Sequence, residues 1–231
     1  MIEVSDNLFT GTSGGQLTEI CPQNGVTDER IRNVVVERNY FRGGNATGGR
    51  QFLVSAQNWT ARNNVFNGSS FGGSAIQVAK RGVEWGSNTT GTSVTTCPAA
   101  GPASACTGSS GASTSTSNPM FGEIYNNTCF GGGSCVAFSG SNFMAPGNSS
   151  FAKNNMIYTA GAISNSGTGN TIANNSTSTN ANPGFTNASG SFSNIADFKP
   201  AANFSGGVSV PVFYDAIGLP WNPWDLGALH H

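Results

Sequence analysis

Charge is what this sequence has least of: Asp, Glu, Lys and Arg make up 9% of its 231 residues, against roughly 25% in an average globular domain. A net charge of -1 provides no basic face for a phosphate backbone or an anionic bilayer, so neither nucleic acid nor a membrane surface is an expected partner. No apolar run approaches the roughly 18 residues that a membrane span requires. The only histidines, His230 and His231, are the last two residues, after Leu229. Read as the remnant of a purification tag, they take histidine catalysis out of consideration. The opening Met1-Ile2-Glu3 has no basic or apolar leader ahead of it and already lies inside the repeat described below. We therefore expect that a leader, with any earlier coils, has been removed.

Cysteine is sparse but informative. Five cysteines in a chain so poor in charge and rich in Asn and Thr indicate an oxidising compartment, hence secretion or the cell surface. Cys97 with Cys106, and Cys129 with Cys135, are the pairs closest in sequence, and Cys21 is left over. These spacings do not form the CxxC pairs of a zinc site. Asn-x-Ser/Thr triplets such as Asn58-Trp59-Thr60 and Asn203-Phe204-Ser205 are what chance supplies in a chain with this much Asn.

What the sequence does contain is a repeat. Six segments superimpose: Val4–Phe9, Val36–Phe41, Ala61–Phe66, Ile124–Cys129, Ala152–Ile157 and Ile172–Thr177. Each reads apolar-x-x-Asn-x-apolar, with a small residue sometimes replacing an apolar one. The shared asparagines Asn7, Asn39, Asn64, Asn127, Asn155 and Asn175 are 32, 25, 63, 28 and 20 residues apart. That is one solenoid turn per interval, provided the long one holds an insertion, and residues 85–119, rich in Ser, Thr, Gly and Ala, are that insertion. A second alternating segment follows each motif, as in Gln16–Ile20, Gln51–Ser55, Ala75–Ala79, Cys135–Phe138 and Ala162–Ser164. Short strands of period two between Gly, Asn and Ser turns coil into a solenoid. Strands of successive turns then stack about 4.8 Å apart, so one residue type recurring per turn becomes a ladder along the axis. Asparagine suits the bend because it tolerates left-handed backbone and its amide both donates and accepts.

On these motifs the chain resembles the right-handed parallel β-helix repeat proteins, a group that includes pectate-lyase-like enzymes, other polysaccharide lyases and hydrolases, and phage tailspikes. The resemblance covers roughly residues 1–180. It implies an all-β, single-stranded right-handed parallel β-helix of about six coils over 1–182, with an asparagine ladder at the bend between the second and third sheets. It also makes 183–229 a C-terminal closing segment of the kind found in secreted bacterial members. The aromatics of that segment are expected to cover the open edge of the last coil.

Setting the motifs on the second sheet points the residue two before each ladder asparagine outward. The resulting row is Ser5, Glu37, Arg62, Tyr125, Lys153 and Ala173, beside a column of Glu3, Thr60, Glu123 and Thr171. The turns into this sheet are long at 22–33, 80–119 and 140–150 but short at Gln57-Asn58, which outlines a groove for an extended sugar chain. Gln77, Lys80, Arg81, Glu84 and Trp85 are expected to contribute to it. β-Elimination on an acidic polysaccharide needs a cation to neutralise the uronate and a base to take the adjacent proton. Arg62 is the candidate neutraliser and Tyr125 or Lys153 the candidate base, with Glu37, Glu123 and the groove residues binding substrate. The competing reading makes the same row an ordinary solvated face in which opposite charges on adjacent coils attract.

Other chemistries have less to stand on. Glu37 with Glu123 is the nearest approach to a hydrolase pair, and Arg62 lies between them. Asp28-Glu29 is the nearest approach to a calcium cluster, so no cofactor is expected. Trp59, Trp85, Trp221 and Trp224 are available for stacking on sugar rings. The runs Gly43-Gly44 and Gly131-Gly132-Gly133 are turn glycines with no helix after them to make a phosphate loop. Thr114-Ser115-Thr116 and Thr177-Ser178-Thr179 do not repeat in register as an ice-binding face would. Two function classes remain: a secreted carbohydrate-active lyase, or a noncatalytic structural or adhesive solenoid (a surface, sheath or fibre module, or the carbohydrate-binding C-terminal part of a larger extracellular protein) able to associate through its open ends.

Overall fold

Each of the first five repeats forms three short strands, and each strand pairs with its counterparts in the neighbouring coils. In the computed structural model the described residues are 1–11, 16–20, 31–43, 49–54, 56–68, 72–78, 94–96, 107–108, 122–138, 150–167, 169–176, 183–186, 192–202, 204–212, 214–220 and 225–229. The asparagine motifs supply the second sheet, in the order β1 (Ile2–Ser5), β4 (Arg32–Glu37), β7 (Gln57–Arg62), β12 (Gly122–Tyr125), β15 (Phe151–Lys153) and β18 (Thr171–Ala173). Immediately after each bend comes the third sheet: β2 (Leu8–Gly11), β5 (Tyr40–Gly43), β8 (Val65–Asn67), β13 (Thr128–Phe130) and β16 (Met156–Tyr158). The first sheet is β3 (Gln16–Ile20), β6 (Arg50–Val54), β9 (Ser74–Val78), β14 (Ser134–Phe138) and β17 (Ser164–Asn165). All pairings within these sheets are parallel. The chain is a right-handed parallel β-helix. The strands β10 (Val94–Thr96) and β11 (Thr107–Gly108) pair antiparallel with one another, outside the three sheets.

Period two decides what fills the interior. The row Phe9, Phe41, Phe66, Cys129, Ile157 runs down the third sheet. Its first three rings stack at centroid separations of 4.8 and 4.6 Å. At coil four the row continues as Cys129, which is bonded to Cys135 across the Gly131–Gly133 turn and ties the third sheet to the first. Cys21, Cys97 and Cys106 lie outside the described residues. From the second sheet come Val34, Val36, Ala61, Ile124 and Ala152, and from the first Phe52, Val54, Ile76, Val78, Val136 and Phe138, all in one buried cluster. Trp59 belongs to this interior: Gly122 of the next coil lies directly under its indole, where a Cβ would collide with the ring. Stacking on a sugar is therefore not open to Trp59.

The bend between the second and third sheets holds the ladder. The backbone N–H groups of Asn7, Asn39, Asn64, Asn127 and Asn155 donate to Oδ1 of the next ladder asparagine at 2.9–3.1 Å. Their Nδ2 groups donate to the same oxygens at 2.8–3.1 Å. The amides also satisfy main-chain carbonyls: Asn127 Nδ2, for example, donates to Ala61 O and Tyr125 O. One detail corrects the expectation from sequence. The left-handed residue is the one before each ladder asparagine, namely Asp6, Arg38, Asn63, Asn126, Asn154 and Asn174, with φ between 53° and 59°. The ladder asparagine is selected for its amide, and the left-handed turn falls to its neighbour.

A mid-ladder truncation removes several bonds at once and strands their buried partners. At about 1 kcal/mol per bond plus the cost of the orphaned groups, Asn127→Ala should lower the unfolding free energy by about 3 kcal/mol. Asn175→Ala, at the half-buried last rung, should cost measurably less. Urea unfolding midpoints of the two variants check the order.

Candidate functional site

Strand register places the mixed row as a continuous line: Ser5 pairs with Glu37, Glu37 with Arg62, Arg62 with Tyr125, Tyr125 with Lys153, and Lys153 with Ala173. The second column runs in register as Glu3, Val35, Thr60, Glu123, Phe151 and Thr171. Two members of it, Val35 and Phe151, are apolar. The connections into this sheet are short before β7, at 55–56, and longer before β4, β12 and β15.

The row is not an open groove, because the closing segment lies over it. Arg62 Nη1 donates to Pro211 O at 2.9 Å. Tyr125 is 1% exposed and packs with Val212, Val210 and Phe151. The left-handed asparagines just past the row hold the segment's main chain. Asn63 Nδ2 donates to Tyr214 O at 2.5 Å, and Asn126 Nδ2 to Asp225 O at 3.1 Å. Asn154 Nδ2 donates to Val208 O at 2.6 Å while its Oδ1 accepts from Val208 N at 3.0 Å. Farther around the bend, Phe185, Phe198, Leu226 and Leu229 bury the outer face of the third sheet at Tyr40, Val65 and Met156. Phe130, Phe185, Phe192 and Phe198 form a network of stacked and edge-on rings.

This overturns the expected position of the closing aromatics. The described ones brace the side of the solenoid, and Ile172 on the last coil is 40% exposed. The reason is compositional: the outer third-sheet row Tyr40, Val65, Thr128, Met156 is itself largely apolar and needs a cover. Trp221 and Trp224 lie outside the described residues.

The electrostatics of the row follow from that cover. Glu37, 7% exposed, is paired with Arg62 Nε on one side and Arg38 Nη1 on the other. Burial opposes the charge on Arg62, but its hydrogen bond to Glu37 and the attraction of that carboxylate outweigh it and raise the pKa. The Tyr125 hydroxyl is raised by burial, with Arg62 opposing only in part. Loss of a proton is thus harder at Tyr125 than in an ordinary tyrosine, the reverse of what a base requires. Lys153 holds its ammonium 4.7 Å from the Phe151 ring centroid, as a cation–π contact.

Of the groove candidates, Glu123 Oε2 accepts from Thr60 Oγ1 at 3.4 Å. Gln77 lies on the first sheet, buried, where its Oε1 accepts from Arg50 Nη1 at 2.7 Å. Lys80, Arg81, Glu84 and Trp85, like Asp28 and Glu29, lie outside the described residues. The structure therefore joins Glu37, Arg62 and Tyr125 in one line but sets Gln77 on a different sheet. Among the described residues no three His, Cys, Asp or Glu side chains stand close enough to hold a metal. No described helix is long and apolar enough to cross a membrane.

Sequence reading missed the first asparagine of each doublet. Asn63-Asn64, Asn126-Asn127, Asn154-Asn155 and Asn174-Asn175 carry two functions side by side, and the doublet itself was the available signal. Comparison of the chain with family models, with curated proteins and with solved structures gives no match.

Asn154 holds Val208 from both sides, so Asn154→Ala should loosen 206–212 without opening the ladder. Hydrogen exchange should rise there at least tenfold while the amides of Asn127 and Met156 remain protected. The raised Tyr125 pKa has a pH consequence too. It stabilises the fold while the hydroxyl is protonated, below the ordinary value of about 10, and that contribution is lost as pH rises through the folded value. In a tyrosinate absorbance titration Tyr125 should ionise above that value, and Tyr125→Phe should remove one late-titrating group.

Proposed function

We propose that this chain is a noncatalytic β-helix of the cell exterior, a structural or adhesive rod whose surface engages carbohydrate. One observation carries the reading: among the described residues, the row with the residue types of a uronate lyase is partly covered by the closing segment, which buries Tyr125 and engages Arg62. Arg62 is committed to Glu37 and Pro211. Tyr125 is buried with its pKa raised. A neutralising cation must be free to meet a carboxylate, and a base must be able to lose its proton within reach of substrate. Arg62 is engaged elsewhere and Tyr125 gives up its proton less readily than an ordinary tyrosine, while Lys153, the other candidate base, rests its ammonium against the Phe151 ring.

The extracellular setting is supported by the buried Cys129–Cys135 disulfide, of a kind that persists in oxidising compartments. The carbohydrate partner is supported by a chain low in charge and rich in Asn, Ser and Thr, whose hydroxyls and amides match those of a sugar chain.

The test is a depolymerisation assay on a panel of polyuronates and neutral polysaccharides. No unsaturated, ultraviolet-absorbing product and no new reducing ends should form. Release of unsaturated sugars by the parent protein, abolished in Tyr125→Phe or Lys153→Ala, would sink the noncatalytic reading and restore the lyase.

A further inference from the structure

The asparagines of the bend hold the closing segment from coil three downward, and on coil two the segment is met by Tyr40 instead. Between the segment and the bend of coils one and two lies a cleft of about 270 Å³ lined by Asp6, Leu8, Arg38, Tyr40, Asn194 and Ile195, with Asn7, Ser193 and Ala216 completing it. We propose that this cleft is a binding site for a neutral saccharide unit.

Three observations converge on it. The first is a break in the left-handed row. In coils three to six that position is always asparagine, whose amide holds the closing segment's main chain in each case. At the cleft it is Asp6 and then Arg38, with φ of 59° and 53°. Arginine has none of asparagine's tolerance for left-handed backbone, so Arg38 is held there at a cost the other coils avoid. The opposite wall repeats the feature. Phe192, next to Ser193 and Asn194, has φ 46° and is locked by its ring contacts and by Tyr40, whose hydroxyl donates to Phe192 O. Strain maintained on both walls by packing is the mark of a preorganised site.

The second is an apolar patch left bare. Leu8 heads the outer row that continues as Tyr40, Val65, Thr128 and Met156. The closing segment buries the row from Tyr40 onward, but Leu8 is 58% exposed at the cleft. The third is charge. Arg38 donates to Asp6 through Nε at 3.0 Å and Nη2 at 2.8 Å, contacts Glu37 through Nη1, and lies 4.0 Å from Glu3. With three carboxylates around one guanidinium, the site disfavours anions, uronates included.

What remains is an apolar patch for the C–H face of a pyranose. Around it stand planar or hydroxylic groups, Asp6, Arg38, Asn194 and Ser193, suited to paired hydroxyls. The cleft touches the row through the Arg38–Glu37 pair, and neither Arg62 nor Tyr125 lines it; the proposal rests on the noncatalytic reading only in expecting a carbohydrate partner. Polymer cleavage and cleft binding are measured independently, so either can fail alone.

The experiment follows backbone amide resonances of the labelled protein while glucose, galactose, mannose, N-acetylglucosamine and galacturonate are titrated singly into the millimolar range. At least one neutral sugar should give saturable shifts centred on Leu8, Arg38, Ser193, Asn194 and Ile195, with galacturonate at least tenfold weaker. Leu8→Asp changes an exposed side chain and should weaken binding at least tenfold. Arg38→Asn restores the residue type used in coils three to six, so it should keep the fold while losing at least tenfold in affinity. Lys153→Ala, remote from the cleft, should bind as the parent does. The proposal is overturned if no neutral sugar shifts these amides, if galacturonate binds as well, or if both cleft variants bind like the parent.

Discussion

Everything in this molecule depends on one hydrogen-bonded column, the asparagine ladder. Each rung uses a side-chain amide to satisfy the main chain of its own coil and of a neighbour. Polar groups at a sharp interior bend are thereby paired without water, where an unpaired group would cost a few kcal/mol. Because the rung must recur at every coil, it fixes the register of all three sheets. Aromatic then lies over aromatic in the third sheet, and Trp59 over Gly122 in the second. Loop length hardly matters to such a column. Residues 79–121 separate β9 from β12, yet Asn64 and Asn127 meet at 3.0 Å as the other rungs do. Closure entropy grows only logarithmically with loop length.

The left-handed residue before each rung is the hinge between fold and function. Its side chain projects outward from the bend, and from coil three on it is an asparagine that grips the closing segment. The same segment covers the outer apolar face of the third sheet, buries Tyr125 and accepts a hydrogen bond from Arg62. The outward row is thus braced by a segment whose described residues make only isolated bridges, Ser205 with Asp225 and Tyr214 with Pro220.

How far the sequence was legible follows from this. Periodicity shows wherever a constraint repeats, so the ladder, the three-sheet coil and the outward row from Ser5 to Ala173 could be read from spacing, along with the Cys129–Cys135 pair. Nothing repeats in the closing segment. Its path is set by complementarity to a surface that exists only after coiling, and its aromatics gave no indication whether they would meet the end of the solenoid or its flank. The same limit applied to Tyr125: its place in the row was legible, but its pKa is raised by burial, and Val210 and Val212, which pack on it, lie 85 or more residues away in sequence. The left-handed turn was misassigned by one residue, because in an Asn-Asn doublet composition cannot say which member turns the chain and which bonds along the axis.

A bare stack of coils contacts only its nearest neighbours and melts from its ends, one coil at a time. The closing segment runs lengthwise, touching Tyr40 on coil two through Asn174 on coil six. Peeling away a terminal coil must therefore also strip part of a strap anchored several coils distant. A lateral brace of this kind turns a stack that would fray gradually into one that yields all together.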